Sequence, residues 1–368
     1  MQRLVSLCVF ALVLSVAMPA EAGIRIATVG PVTGPLAALG EQMLAGARQA
    51  VADINAAGGV LGKKLVLEVG DDQCDPKQAV ATANRMVAKG VVFVAGHFCS
   101  GASIPASKVY GEEGVIMISP ASTSPKLTDE GDPGIYRVCG RDDQQGGVLG
   151  RFLARRFAGQ RIAFVHDKSA YGKGLAMETL RAMREAGQKE AMFEAYTAGE
   201  KDYTALVSKL KAARIDVLFV GGYHTEAGLI LRQMRAQGLG ATMVGGDTLV
   251  VRDYWSIAGR AATGTLFTFA PDAAKSPAAQ EVVARYRARG VEPAGYVLYT
   301  YAAVQAWAQA AEKAGTADPD TVIKTLRKLR LQTVIGTFHF KPNGDVNLPP
   351  YGIYHWTNGA FEQLGVIK

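Results

Sequence analysis

The sequence has 368 residues, 49% of them hydrophobic and 20% charged, with a formal net charge of +7. That length suits two domains rather than one. A positive balance can mark a nucleic-acid partner, but here Lys and Arg are scattered along helical faces (Arg151, Arg155, Arg156; Lys209, Lys211, Arg214) with no basic stripe between aromatics, which excludes that class.

Arg3 and the apolar run 4–17 lead to Ala20-Glu21-Ala22, the small-x-small pattern of a cleaved export signal, so residues 1–22 are read as a signal peptide and the mature chain as starting at Gly23. The run is shorter than the roughly 20 residues of a membrane span. Cys8 lies inside it rather than at the cleavage point, which argues against a lipoprotein. No later stretch is apolar enough to cross a membrane and no further domain follows, so a freely diffusing monomer is expected. Export leaves Cys74, Cys99 and Cys139, of which two can pair in an oxidising compartment; the intervals do not choose which.

Strands and helices then alternate. Residues 24–32 read as a strand, and 36–57 as a helix stopped by Gly58-Gly59. Residues 64–72 read as a strand, and Asp75-Pro76 open a helix reaching Lys89. The short apolar runs 91–96 and 115–119 have the character of parallel strands buried on both faces. A second lobe starts near Asp142 with a helix carrying Val148, Leu149, Phe152, Leu153 and Phe157. Strands follow at 161–166, 191–196, 216–220, 242–245 and 263–269. They are separated by helices 174–186, 202–213 and 225–237 and by a turn or two at 254–258. The remainder reads as helices 276–289, 295–314 and 318–329, then strands 337–340 and 351–356. This alternation predicts α/β architecture, two doubly wound parallel sheets, with no flexible linker and hence several crossings at a hinge.

Ligands of such sheets bind beyond the strand carboxyl ends. Those ends hold His97-Phe98-Cys99-Ser100-Gly101 and Pro120-Ala121-Ser122-Thr123-Ser124 in the first lobe, and 166–171, Gly221-Gly222-Tyr223 and Gly245-Gly246-Asp247 in the second. Hydroxyls and helix-start amides at Ser100 and Thr123 suit a carboxylate. Asp247 and the Ala121 carbonyl suit an ammonium, and Tyr171 and Tyr223 can close over it. The plainer reading makes Ser100 and Thr123 ordinary helix N-caps. Enzyme signatures are missing: there is no Gly-x-Ser-x-Gly or His-Glu-x-x-His, and Gly58-Gly59-Val60-Leu61-Gly62-Lys63-Lys64 lacks the spacing of a phosphate loop. The five His show no metal-ligand spacing, and a His97/Cys99 nucleophile pair would have to converge from one loop. No cofactor or metal is expected.

The segments Gly30-Pro31-Val32-Thr33-Gly34-Pro35, Ala50-Val51-Ala52-Asp53-Ile54-Asn55, Asp71-Asp72-Gln73-Cys74-Asp75-Pro76, Gly96-His97-Phe98-Cys99-Ser100, Tyr171-Gly172-Lys173-Gly174 and Gly221-Gly222-Tyr223-His224 occur in this order. In them the chain resembles the leucine/isoleucine/valine-binding proteins, the periplasmic substrate-binding subunits of branched-chain amino acid ABC transporters, over nearly its whole mature length. The resemblance implies the type I periplasmic binding protein fold. Its lobes would be 23–141 plus 271–347 and 142–270 plus 348–368, closing on a hinge around a free amino acid for the transporter's membrane permease subunits. It further implies Ser100 and Thr123 for the ligand carboxylate. For the ammonium it implies Ala121, Asp247 and again Thr123. Tyr171 and Tyr223 would be the closing aromatics, Leu39, Phe98 and Tyr296 the side-chain pocket, and Cys74–Cys99 the disulfide, with Cys139 free. Two positions depart: Asp247 stands where the family has Glu, and Leu39 where it often has an aromatic. Amino acid binding survives these changes, whereas strict leucine/isoleucine/valine preference does not. A ligand sensor feeding a separate receptor and a secreted amidase-like hydrolase are the alternative functions.

Overall fold

The computed structural model describes residues 23–347, 349 and 351–364; the segment 1–22 read as an export signal lies outside them. Among the described residues no helix is long and apolar enough to cross a membrane.

The first sheet holds β1 (Ile24–Gly30), β2 (Leu65–Asp71), β3 (Phe93–Gly96), β4 (Ile116–Ser119) and β5 (Ile135–Arg137) in the order β2-β1-β3-β4-β5, every pairing parallel. Its helices are α1 (Ala37–Ala56), α2 (Pro76–Ala88), α3 (Ser100–Glu112) and the short α4 (Lys126–Asp129). Asp75 caps α2 as expected, its carboxylate accepting from the Lys77 and Gln78 amides at 2.9 and 2.8 Å with Pro76 at the first helical position. β3 and β4 are buried throughout, as continuous apolar runs between two helical layers must be.

The second sheet is built from β6 (Ile162–His166), β7 (Met192–Ala195), β8 (Val217–Gly221), β9 (Thr242–Gly245) and β10 (Leu266–Phe269), all parallel. Its helices are α5 (Asp142–Arg156), α6 (Ala170–Glu185), α7 (Thr204–Ala212), α8 (His224–Ala236) and α9 (Arg252–Ala258). The chain then leaves this sheet. After α10 (Gln280–Arg287), α11 (Val297–Ala314) lies along the first sheet, its Trp307 stacked on Phe93 with ring centroids 5.1 Å apart. Following α12 (Pro319–Leu326) and the hairpin of β11 (Leu331–Thr333) and β12 (Gly336–Phe338), the chain returns. β13 (Gly352–Thr357) and β14 (Ala360–Gln363) add antiparallel edges beside β10. Three passages therefore join the sheets.

Two helix starts differ from the sequence reading by four residues. α6 starts at Ala170, four residues before the expected start. Ser169 caps it, its hydroxyl accepting from the Gly172 amide at 2.8 Å, and Gly172 is needed because a Cβ there would collide with the Gly221 carbonyl and the Asp167 carboxylate. The glycines that looked like a loop are a close approach of helix to strand. The helix expected from 276 opens as a single 3-10 turn, Pro277–Ala279, and is α-helical only over Gln280–Arg287.

Candidate functional site

The order β2-β1-β3 reverses direction at β1, which opens a crevice beyond the carboxyl ends of β1 and β3. On the first-sheet side two loops meet there. The Ser119 hydroxyl donates to the His97 carbonyl at 2.7 Å, the Ser122 hydroxyl to the Phe98 carbonyl at 2.7 Å, and Ser100 Oγ accepts from the Ser124 amide at 3.2 Å. From below, wholly buried Arg137 donates to the Ser122 and Ser124 carbonyls at 2.6 and 2.9 Å, to Thr128 at 2.8 Å and to Asp345 at 2.9 Å. His97 is pinned between Asp72 (2.6 Å) and the Tyr110 hydroxyl (3.0 Å). The loop carrying Ala121 and Thr123 is thus held on both sides by buried bonds, which keeps a recognition surface in one conformation. Cys74 and Cys99 form a disulfide and Cys139 is free and buried.

Neither Ser100 nor Thr123 is a helix N-cap. Cys99 takes that position before α3, so Ser100 is its first helical residue, while Thr123 precedes α4 with Pro125 as cap. The helix-start amides expected at both therefore exist at Ser100 alone. The Thr123 hydroxyl is fully buried and, though it lies beside Asp142, makes no well-formed hydrogen bond.

From the second sheet comes Asp247, just past β9. Oδ1 accepts from the Tyr171 hydroxyl at 2.7 Å and from Gln145 Nε2 at 3.1 Å, and Oδ2 from the Tyr296 hydroxyl at 2.7 Å. Burial raises the pKa of this carboxyl above its ordinary value, and the bonds from Tyr296, Tyr171 and Gln145 oppose that rise. Tyr171 and Tyr223 face each other with centroids 5.3 Å apart. Tyr296 meets Phe98 edge-on at 4.7 Å, and Leu39 is wholly buried in the same apolar cluster. Because the Tyr296 amide donates to Gln42 of α1 at 3.0 Å, its bond to Asp247 spans the two sheets. So does the Thr225 hydroxyl on the Pro35 carbonyl at 3.0 Å. The cleft is closed. Only a small cavity of about 10 Å³, room for a single water, remains beside Asp247, bounded by Pro120, Cys139, Asp247, Phe269, Tyr296 and Tyr351 among others.

The family model described as periplasmic binding protein matches residues 23–360. The chain belongs to the periplasmic binding protein family. It is 48% identical to the Leu/Ile/Val-binding protein homolog 1 of Brucella melitensis over 339 residues, 92% of this chain and 91% of that one. Among solved structures, the leucine binding protein LivK of Thermotoga maritima matches with a TM-score of 0.87 and 27% identity, covering 93% of this chain and 98% of that one. LivJ of Streptococcus pneumoniae, a branched-chain amino acid transporter substrate binding protein in complex with isoleucine, matches with 0.84 and 27%, covering 93% and 99%.

This binding protein also places at the cleft two residues that sequence reasoning passed over. Asp142 and Gln145 occupy the first turn of α5 three residues apart, hence on one face. Both are fully buried, with Gln145 bonded to Asp247 and, at 2.7 Å, to Thr268. The available signal was position: an acid opening the first helix after a crossing between lobes.

Proposed function

We propose that this chain is the periplasmic substrate-binding component of an ABC importer, which captures a free, mainly apolar amino acid between its lobes and delivers it unchanged to the permease subunits in the membrane. The observation that carries the reading is the cleft's amphipathic arrangement. Ser100 and Thr123 bring hydroxyls and a helix-start amide at the strand ends of the first sheet, Asp247 brings a carboxylate just past β9 of the second, and the buried aromatics Phe98, Tyr171, Tyr223 and Tyr296 include two of its hydrogen-bond donors. A zwitterion needs those two polar poles and its side chain needs that wall. The relatives' leucine/isoleucine/valine and isoleucine ligands support the amino acid class.

In this reading Ser100 and Thr123 hold the carboxylate, the Ala121 carbonyl, Thr123 and Asp247 receive the ammonium, and Leu39, Phe98 and Tyr296 surround the side chain. The lobes are 23–141 plus 271–347 and 142–270 plus 348–368, and removal of residues 1–22 follows export. The head group is anchored strongly and the side chain read loosely, since a methylene in an apolar pocket is worth only about 1–3 kcal/mol. Calorimetry of wild type, Leu39→Tyr and Asp247→Ala against the common amino acids tests this. Binding of several apolar amino acids is expected. Loss of binding in Asp247→Ala is also expected, and undiminished affinity in that variant would overturn the assignment.

A further inference from the structure

Resting on the amino acid reading, we propose that Asp142 is a second ligand carboxylate, which with Thr123 Oγ1 and Gln145 Oε1 forms an acceptor set for a primary ammonium beside Asp247. The two buried acids of the cleft are in opposite states. Asp247 already accepts three hydrogen bonds from Tyr171, Tyr296 and Gln145. Asp142 is fully buried, yet neither of its oxygens has a hydrogen-bond partner, and the same holds for Thr123 Oγ1 and Gln145 Oε1. The orientation of the Gln145 amide is fixed by its donation to Asp247 and Thr268, which leaves the carbonyl end orphaned.

The ordinary role of a first-turn aspartate, accepting helix amides, is not filled here. The Gln144 amide goes to Asp143 and the Gln145 amide to the Arg141 carbonyl. The nearby guanidinium of Arg137 is spent on Asp345, Thr128 and two carbonyls. Asp142 is tied to the binding loop by its own amide, which donates to the Thr123 carbonyl at 2.8 Å, and a Cβ on Gly174 of α6 would lie 3.9 Å from its Oδ2. It therefore sits where the lobes meet, and the one donor beside it, the Thr123 hydroxyl, makes no well-formed bond to it. A buried acceptor left unpaired is costly, so a ligand that brings donors is favoured there. An ammonium with three N–H groups matches three such acceptors; a secondary amine has one fewer. Burial and the mutual repulsion of Asp142 and Asp247 push the Asp142 carboxyl well up, so closing over a single ammonium takes up protons from solvent.

The test is calorimetry of the mature chain with L-leucine, L-valine, L-alanine and L-proline at pH 6, in two buffers of different ionisation heat to count protons. Wild type is expected to bind a primary amine best with net proton uptake. Asp142→Asn is expected to weaken that binding at least about tenfold and to reduce the uptake, while the ligand-free melting temperature stays or rises. Asp143→Asn, at a half-buried neighbour paired with Arg141, keeps wild-type binding. Affinity within twofold of wild type in Asp142→Asn, or no proton uptake in wild type, overturns the inference and leaves the amino acid reading standing. If wild type binds none of the four, both fall. Should Asp142→Asn not fold, Asp142→Ser takes its place and is read by the same loss of affinity.

Discussion

Tyr296→Phe removes one oxygen, and the structure says where its cost must fall. The hydroxyl donates to Asp247 Oδ2 at 2.7 Å, and both residues are only 2% exposed. A hydrogen bond to a buried carboxylate is worth about 1.5–3 kcal/mol. Tyr296 is held from α1 through Gln42, whereas Asp247 is held by Tyr171 and Gln145 on the second-sheet side, so under the proposed hinge closure the bond exists only when the lobes meet. In an open form water serves both groups and nothing is lost. The whole penalty thus enters the closure equilibrium, and apparent Kd for the bound amino acid should rise about ten- to a hundredfold. Calorimetry measures this directly. Small-angle scattering should show the same contraction at saturation in wild type and variant, but displaced to higher ligand concentration in the variant. A Kd within twofold of wild type would refute the account of Tyr296 as a bond made on closing.

Three other outcomes are expected. Cys74→Ser with Cys99→Ser should lower unfolding free energy by about 3–4 kcal/mol, the chain-entropy value for a sequence separation of 25, and denaturation that shows under 1 kcal/mol would count against it. Arg137→Met strands Asp345 and the Ser122 and Ser124 carbonyls in a buried place, so chemical denaturation should show a loss of about 3–5 kcal/mol together with weakened ligand binding; a loss below 1 kcal/mol would contradict the network. His224 is 1% exposed and burial pushes its pKa down from 6.5 to about 4. The unfolded chain therefore takes up a proton that the folded chain refuses, so stability is full above pH 6.5 and falls by about 3 kcal/mol as pH drops to 4. His224→Gln should flatten that part of the profile in urea titrations, and an unchanged slope would exclude His224 as its source.

Several elements were legible because burial on two faces leaves plain runs: β3 and β4 are buried throughout and almost wholly apolar, and Asp75-Pro76 states its own helix start. β5 was not, because it is three residues long and one of them is the buried Arg137, whose partners lie as far away as Asp345. β14 should have been, since Asn358-Gly359 with φ of 46° and 82° is a two-residue hairpin signal joining Thr357 to Ala360. At the site, strand-end loops and the resemblance led to the aromatics and Asp247. Asp142 and Gln145 escaped because an acid opening a helix reads locally as ordinary helix-start chemistry: what sets them apart, buried oxygens without a well-formed bond, is a property of three-dimensional neighbours.

The three passages between sheets also bear on the order in which the molecule can be assembled. The first sheet is covered by α11, which follows the whole parallel part of the second sheet, and the second is bordered by β13, which follows α11. Phe93 waits more than 200 positions for Trp307. A chain emerging amino end first has neither hydrophobic core whole until nearly its last turn has appeared. Such distant contacts delay folding, since loop closure must precede the contacts that reward it. The export proposed above would gain by that delay: a chain threaded unfolded through a membrane channel would be kept open by its own topology until almost all of it was across.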